Sequence, residues 1–202
     1  MSEIKPKLPL KHPSLWRGEE LLQRTDWQVQ LSGLEIEELQ SVAEGVMDQS
    51  VESIELGDFE LPQLAPRLEQ ISRNLEQGCG ATWLRGLPKD SDQALLERIF
   101  WLLALHLGVP LSQSAEGERL FSVADKGYAA DDPRARGPNT RSKLSYHTDR
   151  CDVIGFCCYR QAKSGGESRI VSSMAIYNEI LNRRPDLLNL LCEPFYYLRH
   201  TV

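Results

Sequence analysis

The segment DQALLERIFWLLALHLG, residues 92–108, is apolar on nearly every helical face and ends at Gly108. A helix of that kind cannot lie on a surface with one stripe turned inward; neighbours must cover it on several sides. Two helical patterns precede it and can do so. Ser32-Gly33-Leu34-Glu35 fits a capping box, and Leu39, Val42 and Val46 continue at helical spacing, which predicts a helix from about Leu34 to Asp48. Leu64, Leu68, Ile71 and Leu75 predict a second from about Leu61 to Gln77, stopped by Gly78. Ser91 is expected to cap the apolar helix itself.

With 202 residues and 41% hydrophobic content, the chain can bury one core, and residues 1–202 read as a single domain. The first 30 residues, rich in Pro and Lys, read as an arm across that body, anchored by Trp16 and Trp27. A net charge of −6 argues against a nucleic-acid partner, because such binding relies on Lys and Arg neutralising phosphates. The local basic cluster of Arg134, Arg136 and Arg141 is the exception. No apolar run is long enough to span a bilayer and the N-terminus has no apolar leader core, so neither membrane insertion nor secretion is expected and cytoplasm is the default. The five cysteines show no zinc-type pairing and read as reduced thiols, several of them buried in strands. Homo-oligomerisation stays open.

Past Gly108 the pattern changes. CGATWLRGLP (79–88) already reads as a strand, and RLFSVAD (119–125) has a strand's period. Lys126 to Arg141 has no apolar period and reads as a long loop of the kind that serves as a lid or binding segment. KLSYH, VIGFCCYR and ESRIVSS then follow as three short strand-like runs, which point to hairpins of a sandwich or barrel. Ser173 is expected to cap a helix over MAIYNEILNRR, Pro185 to open another through Leu191, and FYYLRHT to begin one more strand. Helices first and strands later make the class α+β, with a sheet that reads as unfinished.

Within LSYHTDR (144–150), residues i and i+2 of an extended segment share a face. His147 and Asp149 can therefore converge while Thr148 faces away, one imidazole and one carboxylate as in a 2-His-1-carboxylate iron site. Tyr146 faces opposite to His147 and is expected to pack. His106, in the last turn of the apolar helix, reads as a core or capping residue, and His12 as solvated. By itself the His-x-Asp spacing is weak evidence for a metal and more often marks a solvated or capping pair.

The surrounding motifs discriminate. LSYHTD, then VIGFCCYRQA, then SGGESRIVSSMAIYNEILNRRPDLL, together with GATWLRGLP and LLALHLGVPLSQ upstream, resemble the TauD/TfdA family of Fe(II)- and 2-oxoglutarate-dependent dioxygenases over roughly Gly78 to Leu191. The resemblance implies a double-stranded β-helix, jelly-roll or cupin-like core, flanked by N-terminal helices. It implies His147 and Asp149 as iron ligands and Ser168 as the hydroxyl that contacts 2-oxoglutarate, although a plain turn hydroxyl is the alternative for Ser168. In such a family the loop before the ligands would cover the substrate. Arg134, Arg136, Asn139 and Arg141 are then candidates to hold a small polar or anionic substrate, with a solvated charge run as the equal alternative.

The implied function is hydroxylation of an unactivated C–H bond of a small molecule with Fe(II), 2-oxoglutarate and O2, giving succinate and CO2. The family's third iron ligand is a distal histidine followed by an arginine. His200 and Arg199 fall too early in the pattern to serve. The chain therefore reads as the front portion of a longer protein, with the C-terminal part of the core missing and two ligands of three present. Alone it is expected to be inactive. The alternative is a degenerate, non-catalytic relative acting as a ligand-binding or assembly module.

Overall fold

A computed structural model describes residues 8–88, 91–114, 116–128, 132, 139–141 and 143–196. Its regular elements are α1 (Gly18–Gln23), β1 (Gln28–Gln30), α2 (Gly33–Gly45), α3 (Ala65–Gln77), β2 (Trp83–Arg85), α4 (Gln93–Leu107), α5 (Ser173–Arg183) and α6 (Pro185–Leu191), with 3-10 turns at Val51–Ser53 and Leu56–Asp58. β1 and β2 pair in parallel, Val29 opposite Leu84. No helix among the described residues is long and apolar enough to cross a membrane.

The apolar helix α4 is the centre of the core. Ile99, Trp101, Leu102 and Leu103 are buried in it, and α2 and α3 pack against it with Leu39, Ala43, Leu64, Leu68 and Ile71. Its polar atoms are also paired. Trp101 Nε1 donates to the Ile54 carbonyl at 3.0 Å. The Arg98 guanidinium donates to the carbonyls of Val46, Met47 and Gln49, closing off the chain just beyond α2, whose last carbonyls have no helical partner. α2 stops at Gly45, three residues before the expected end.

α2 returns the favour to α3. The α3 N-cap residue Leu64 has no side chain to offer, and the Glu38 carboxylate from α2 instead accepts from the amides of Gln63 and Leu64. Pro66 occupies the first turn of α3, where a missing N–H costs nothing, so the helix begins at Ala65 rather than Leu61. The capping box of α2 forms as expected: the Ser32 amide donates to Glu35 at 2.7 Å and the Glu35 amide to the Ser32 hydroxyl at 3.3 Å. Asp92, not Ser91, caps α4, and Ser172, not Ser173, caps α5.

The N-terminal arm is more structured than its composition predicts, since it contains α1 and β1. Both indoles anchor it: Trp16 is buried beside Leu21 and Cys79, and Trp27 packs on the same cluster and stacks on Trp83 at 5.9 Å. His12 is half-buried, its Nδ1 2.9 Å from the Ser14 hydroxyl, rather than free in solvent.

The strand expectations for 119–125 and for KLSYH, VIGFCCYR and ESRIVSS are not met: the described residues between α4 and α5 carry no strand. A strand is defined by hydrogen bonds to a second strand in register, and alternation of side chains cannot supply that partner. Leu144, Tyr146, Ile154, Phe156 and Ile170 accordingly lie exposed, Tyr146 included, and of the cysteines only Cys79 is buried. FYYLRHT falls largely outside the described residues. One run still docks on the core. Cys157 packs against it, and Gly155 lies so close to α4 that an added Cβ would sit 3.1 Å from Phe100 Cζ.

Two outcomes follow from this packing. Burial pushes the Glu35 carboxyl up, but the Ser32 amide and hydroxyl and the Arg67 guanidinium outweigh it and hold the group below its usual range. A depressed folded-state value adds stability above pH 4.5 that is lost as the pH falls below it. Glu35→Gln is expected to cost about 1–2 kcal/mol at neutral pH and to flatten the acid limb of a melting-temperature profile. Gly155→Val is expected to cost about 1–3 kcal/mol through overpacking against Phe100. Phe100→Leu should recover part of that loss in a double-mutant cycle read by denaturant unfolding.

Candidate metal centre

His147 and Asp149 lie on the irregular segment between α4 and α5, eight and six residues before the Gly155 contact that docks this run on α4. The structure brings the two side chains together. His147 Nε2 is 3.8 Å from Asp149 Oδ1, and both side chains are about half exposed, at 55% and 51%.

Local chemistry fixes which nitrogen faces the carboxylate. His147 Nδ1 lies 2.8 Å from the Ser145 carbonyl oxygen, which can only accept, so Nδ1 carries a proton. In the neutral imidazole this leaves the lone pair on Nε2, the arrangement seen for metal-bound histidines whose other nitrogen donates to a carbonyl. Two electron-rich atoms then face one another, close enough for one cation to reach both. Bonds of about 2.1 Å from one ion to each atom span up to about 4.2 Å, so a single ion can reach both. A second proton on the imidazole would instead make the pair an exposed ion pair.

The donor types present, one imidazole and one carboxylate, are those of a 2-His-1-carboxylate iron site. Among the described residues no third His, Cys, Asp or Glu joins them, and His200 lies outside those residues. The nearby Cys151 thiol is pushed up by burial and by the charges of Asp149 and Asp152.

The other expected site residues are distributed unevenly. Ser168 is exposed and follows Gly165 and Gly166, whose φ values of 74° and 78° lie in the left-handed region that glycine adopts without a Cβ penalty. The Gly-Gly pair is therefore demanded by the turn itself. Arg134 and Arg136 lie outside the described residues. Asn139 and Arg141 sit at the neck of the long loop: the Lys126 amide donates to the Asn139 carbonyl at 3.0 Å, and the Arg141 guanidinium pairs with Asp125. That pairing holds the Asp125 carboxyl below its usual range. Asp125 also accepts from the Gly127 amide at 2.9 Å, so one residue ties both ends of the loop. Sequence reasoning had passed it over, although Asp-x-Gly is a turn signal.

Two clefts lie elsewhere: about 640 Å³ between Trp16 and α5, and about 450 Å³ beside Ile54 and Leu105.

Comparison with known proteins gives this pair a context. Residues 43–202 match the family model described as taurine catabolism dioxygenase TauD, TfdA family. The chain is 30% identical over 188 residues to FR-33289 synthase of Streptomyces rubellomurinus (strain ATCC 31215), covering 91% of this chain and 56% of that protein. It is 28% identical over 192 residues to taurine hydroxylase-like protein SAT17 of Stachybotrys chartarum (strain CBS 109288 / IBT 7711), covering 90% of this chain and 50% of that protein. The chain spans about half the length of these curated relatives. Members of the matched family typically depend on Fe(II) and 2-oxoglutarate. The match over residues 43–202, most of the chain, places this protein in the TauD/TfdA family of dioxygenases.

Proposed function

We propose that the chain carries part of the active centre of an Fe(II)- and 2-oxoglutarate-dependent oxygenase that hydroxylates an unactivated C–H bond of a small molecule. The observation that supports this most directly is the Nε2 lone pair of His147 turned toward Asp149 at 3.8 Å, within a chain of this family. His147 and Asp149 hold the iron. The Ser145 carbonyl keeps the imidazole in its ligating tautomer. Ser168, beside two glycines that let backbone come close to an anion, donates to a carboxylate of 2-oxoglutarate.

Arg134, Arg136 and Asn139 are assigned to hold a small polar or anionic substrate. Because Asp125 already neutralises Arg141, the role assigned to Arg141 is to close the loop's neck rather than to bind an anion. Iron bound here with 2-oxoglutarate supplies the oxidising power to put one atom of O2 into a C–H bond and the other into succinate, with release of CO2.

A second reading, a non-catalytic module for ligand binding or assembly, is favoured by one observation: the pair is half exposed and gains no third donor among the described residues.

Metal binding separates the two. Titration of the 202-residue chain with Mn(II), followed by calorimetry, is expected to show weak binding that Asp149→Ala abolishes. No binding at all would favour the second reading. In the longest polypeptide that the reading frame encodes, succinate formation from 2-oxoglutarate with iron should fall in His147→Ala by more than the roughly 10–100-fold typical of losing an outer-sphere partner. Full activity in that variant would sink the assignment of His147.

A further inference from the structure

Residues 10–17 of the arm reach across the sequence to the start of α5 through a continuous set of polar contacts. The Leu10 amide donates to Asn178 Oδ1 at 2.8 Å, and Asn178 Nδ2 donates to the Leu10 carbonyl at 2.9 Å, so one carboxamide clasps both backbone polar groups of one residue. The buried Ser172 hydroxyl donates to the Ser14 carbonyl at 2.6 Å while accepting the Ala175 amide as the N-cap of α5. Ser14 Oγ lies 3.2 Å from Met174 Sδ, and Arg17 pairs with Glu179 at 3.1 Å.

The arm has its own anchor on the other side. Trp16 is buried, and its Nε1 donates to the Cys79 carbonyl at 2.9 Å. That carbonyl belongs to the turn after α3, organised by Asn74, whose side chain accepts from the Cys79 amide and donates to the Ala81 carbonyl. α5, by contrast, has no buried residue and touches only α6 among the regular elements. Among the described residues, the arm ties it to the helical body. Only Arg169, Ile170 and Val171 separate Ser168 from the Ser172 cap, and Ile170 and Val171 line a cleft against Trp16 and Arg17.

We propose that the arm is a strap that positions the Gly165–Ser168 turn: by holding Ser172 and Asn178 it fixes the end of the segment that presents the Ser168 hydroxyl. Asn178 and Ser172 are positioning residues, acting on 2-oxoglutarate through Ser168. This rests on the reading of Ser168 as a 2-oxoglutarate contact. The strap itself has an independent readout, because Lys163 and Arg169 flank the turn and are both exposed, so trypsin reports on its freedom.

The test uses the 202-residue chain with Asn178→Ala, which removes both bonds to Leu10, and Asn178→Asp, which keeps only acceptance from the Leu10 amide. Tryptic cleavage after Arg169 is expected to quicken about tenfold in Asn178→Ala and less in Asn178→Asp, with amide exchange in α4 unchanged. If Asn178→Ala also loses α4 protection, the Asp variant decides. Affinity of the Mn(II)-loaded chain for 2-oxoglutarate is expected to fall in the same order. Unchanged cleavage after Arg169 in a folded variant overturns the strap. Faster cleavage in Asn178→Ala with a 2-oxoglutarate affinity equal to that of the unaltered chain upholds the strap and overturns the role of Ser168.

Discussion

The burial of α4 is the constraint on which the rest of this structure depends. A helix apolar on nearly all faces loses its driving force for order unless it is covered, and α2, α3 and the turns around Ile54 provide that cover. Burial also obliges its polar atoms to find partners, and each one found defines a connection. Trp101 fixes the turn at Ile54, Arg98 closes the end of α2, and the His106 imidazole lies 3.0 Å from the Leu102 carbonyl, with its ring against Phe59. Arg119 then lies over the Trp101 ring and pairs with Glu52, holding the chain just beyond α4 against the same side of the core. The core is thus positioned as much by what α4 cannot leave unpaired as by what it excludes from water.

The candidate centre hangs from this helix. Gly155 and Cys157 set the segment after the His147–Asp149 pair against Phe100 and the core, while the turn carrying Ser168 is held from the other end by the clasp of residues 10–17 on α5. Between these supports, the His-Asp pair is organised by its own neighbourhood: the Ser145 carbonyl, two residues away, decides the tautomer. Local devices of this kind need no sheet, which explains how the two side chains can approach on a segment that has no strand.

Much of the helical architecture was legible in the sequence because its signals are local. The Ser32–Glu35 box, the stop at Gly78, Pro185 and the spacing of Leu68 and Ile71 each act within one or two turns, and the corresponding helices form. The errors of one residue at Ser91 and Ser173 reflect adjacent residues with equal capping ability, where only the direction of the incoming chain decides. The arm misled for a similar reason: α1 and β1 are too short to show a period, and β1 exists because β2 lies beside it. The motifs around His147 carried the family resemblance from Gly78 onward, and the family match extends it back through part of α2.

The sequence by itself determined the positions of the long helices and the Gly165-Gly166 turn, which depend on neighbours within about one helical turn. Tertiary structure alone decided that Glu38 caps α3, that Asp125 ties the long loop to Arg141, that Gly155 docks on Phe100, and that the arm clasps α5. It also decided that the strand-like runs between α4 and α5 remain irregular among the described residues. Each of these outcomes requires a partner distant in the chain, and a backbone donor, a carboxylate or an apolar edge carries in its own residue type no record of which distant group will meet it.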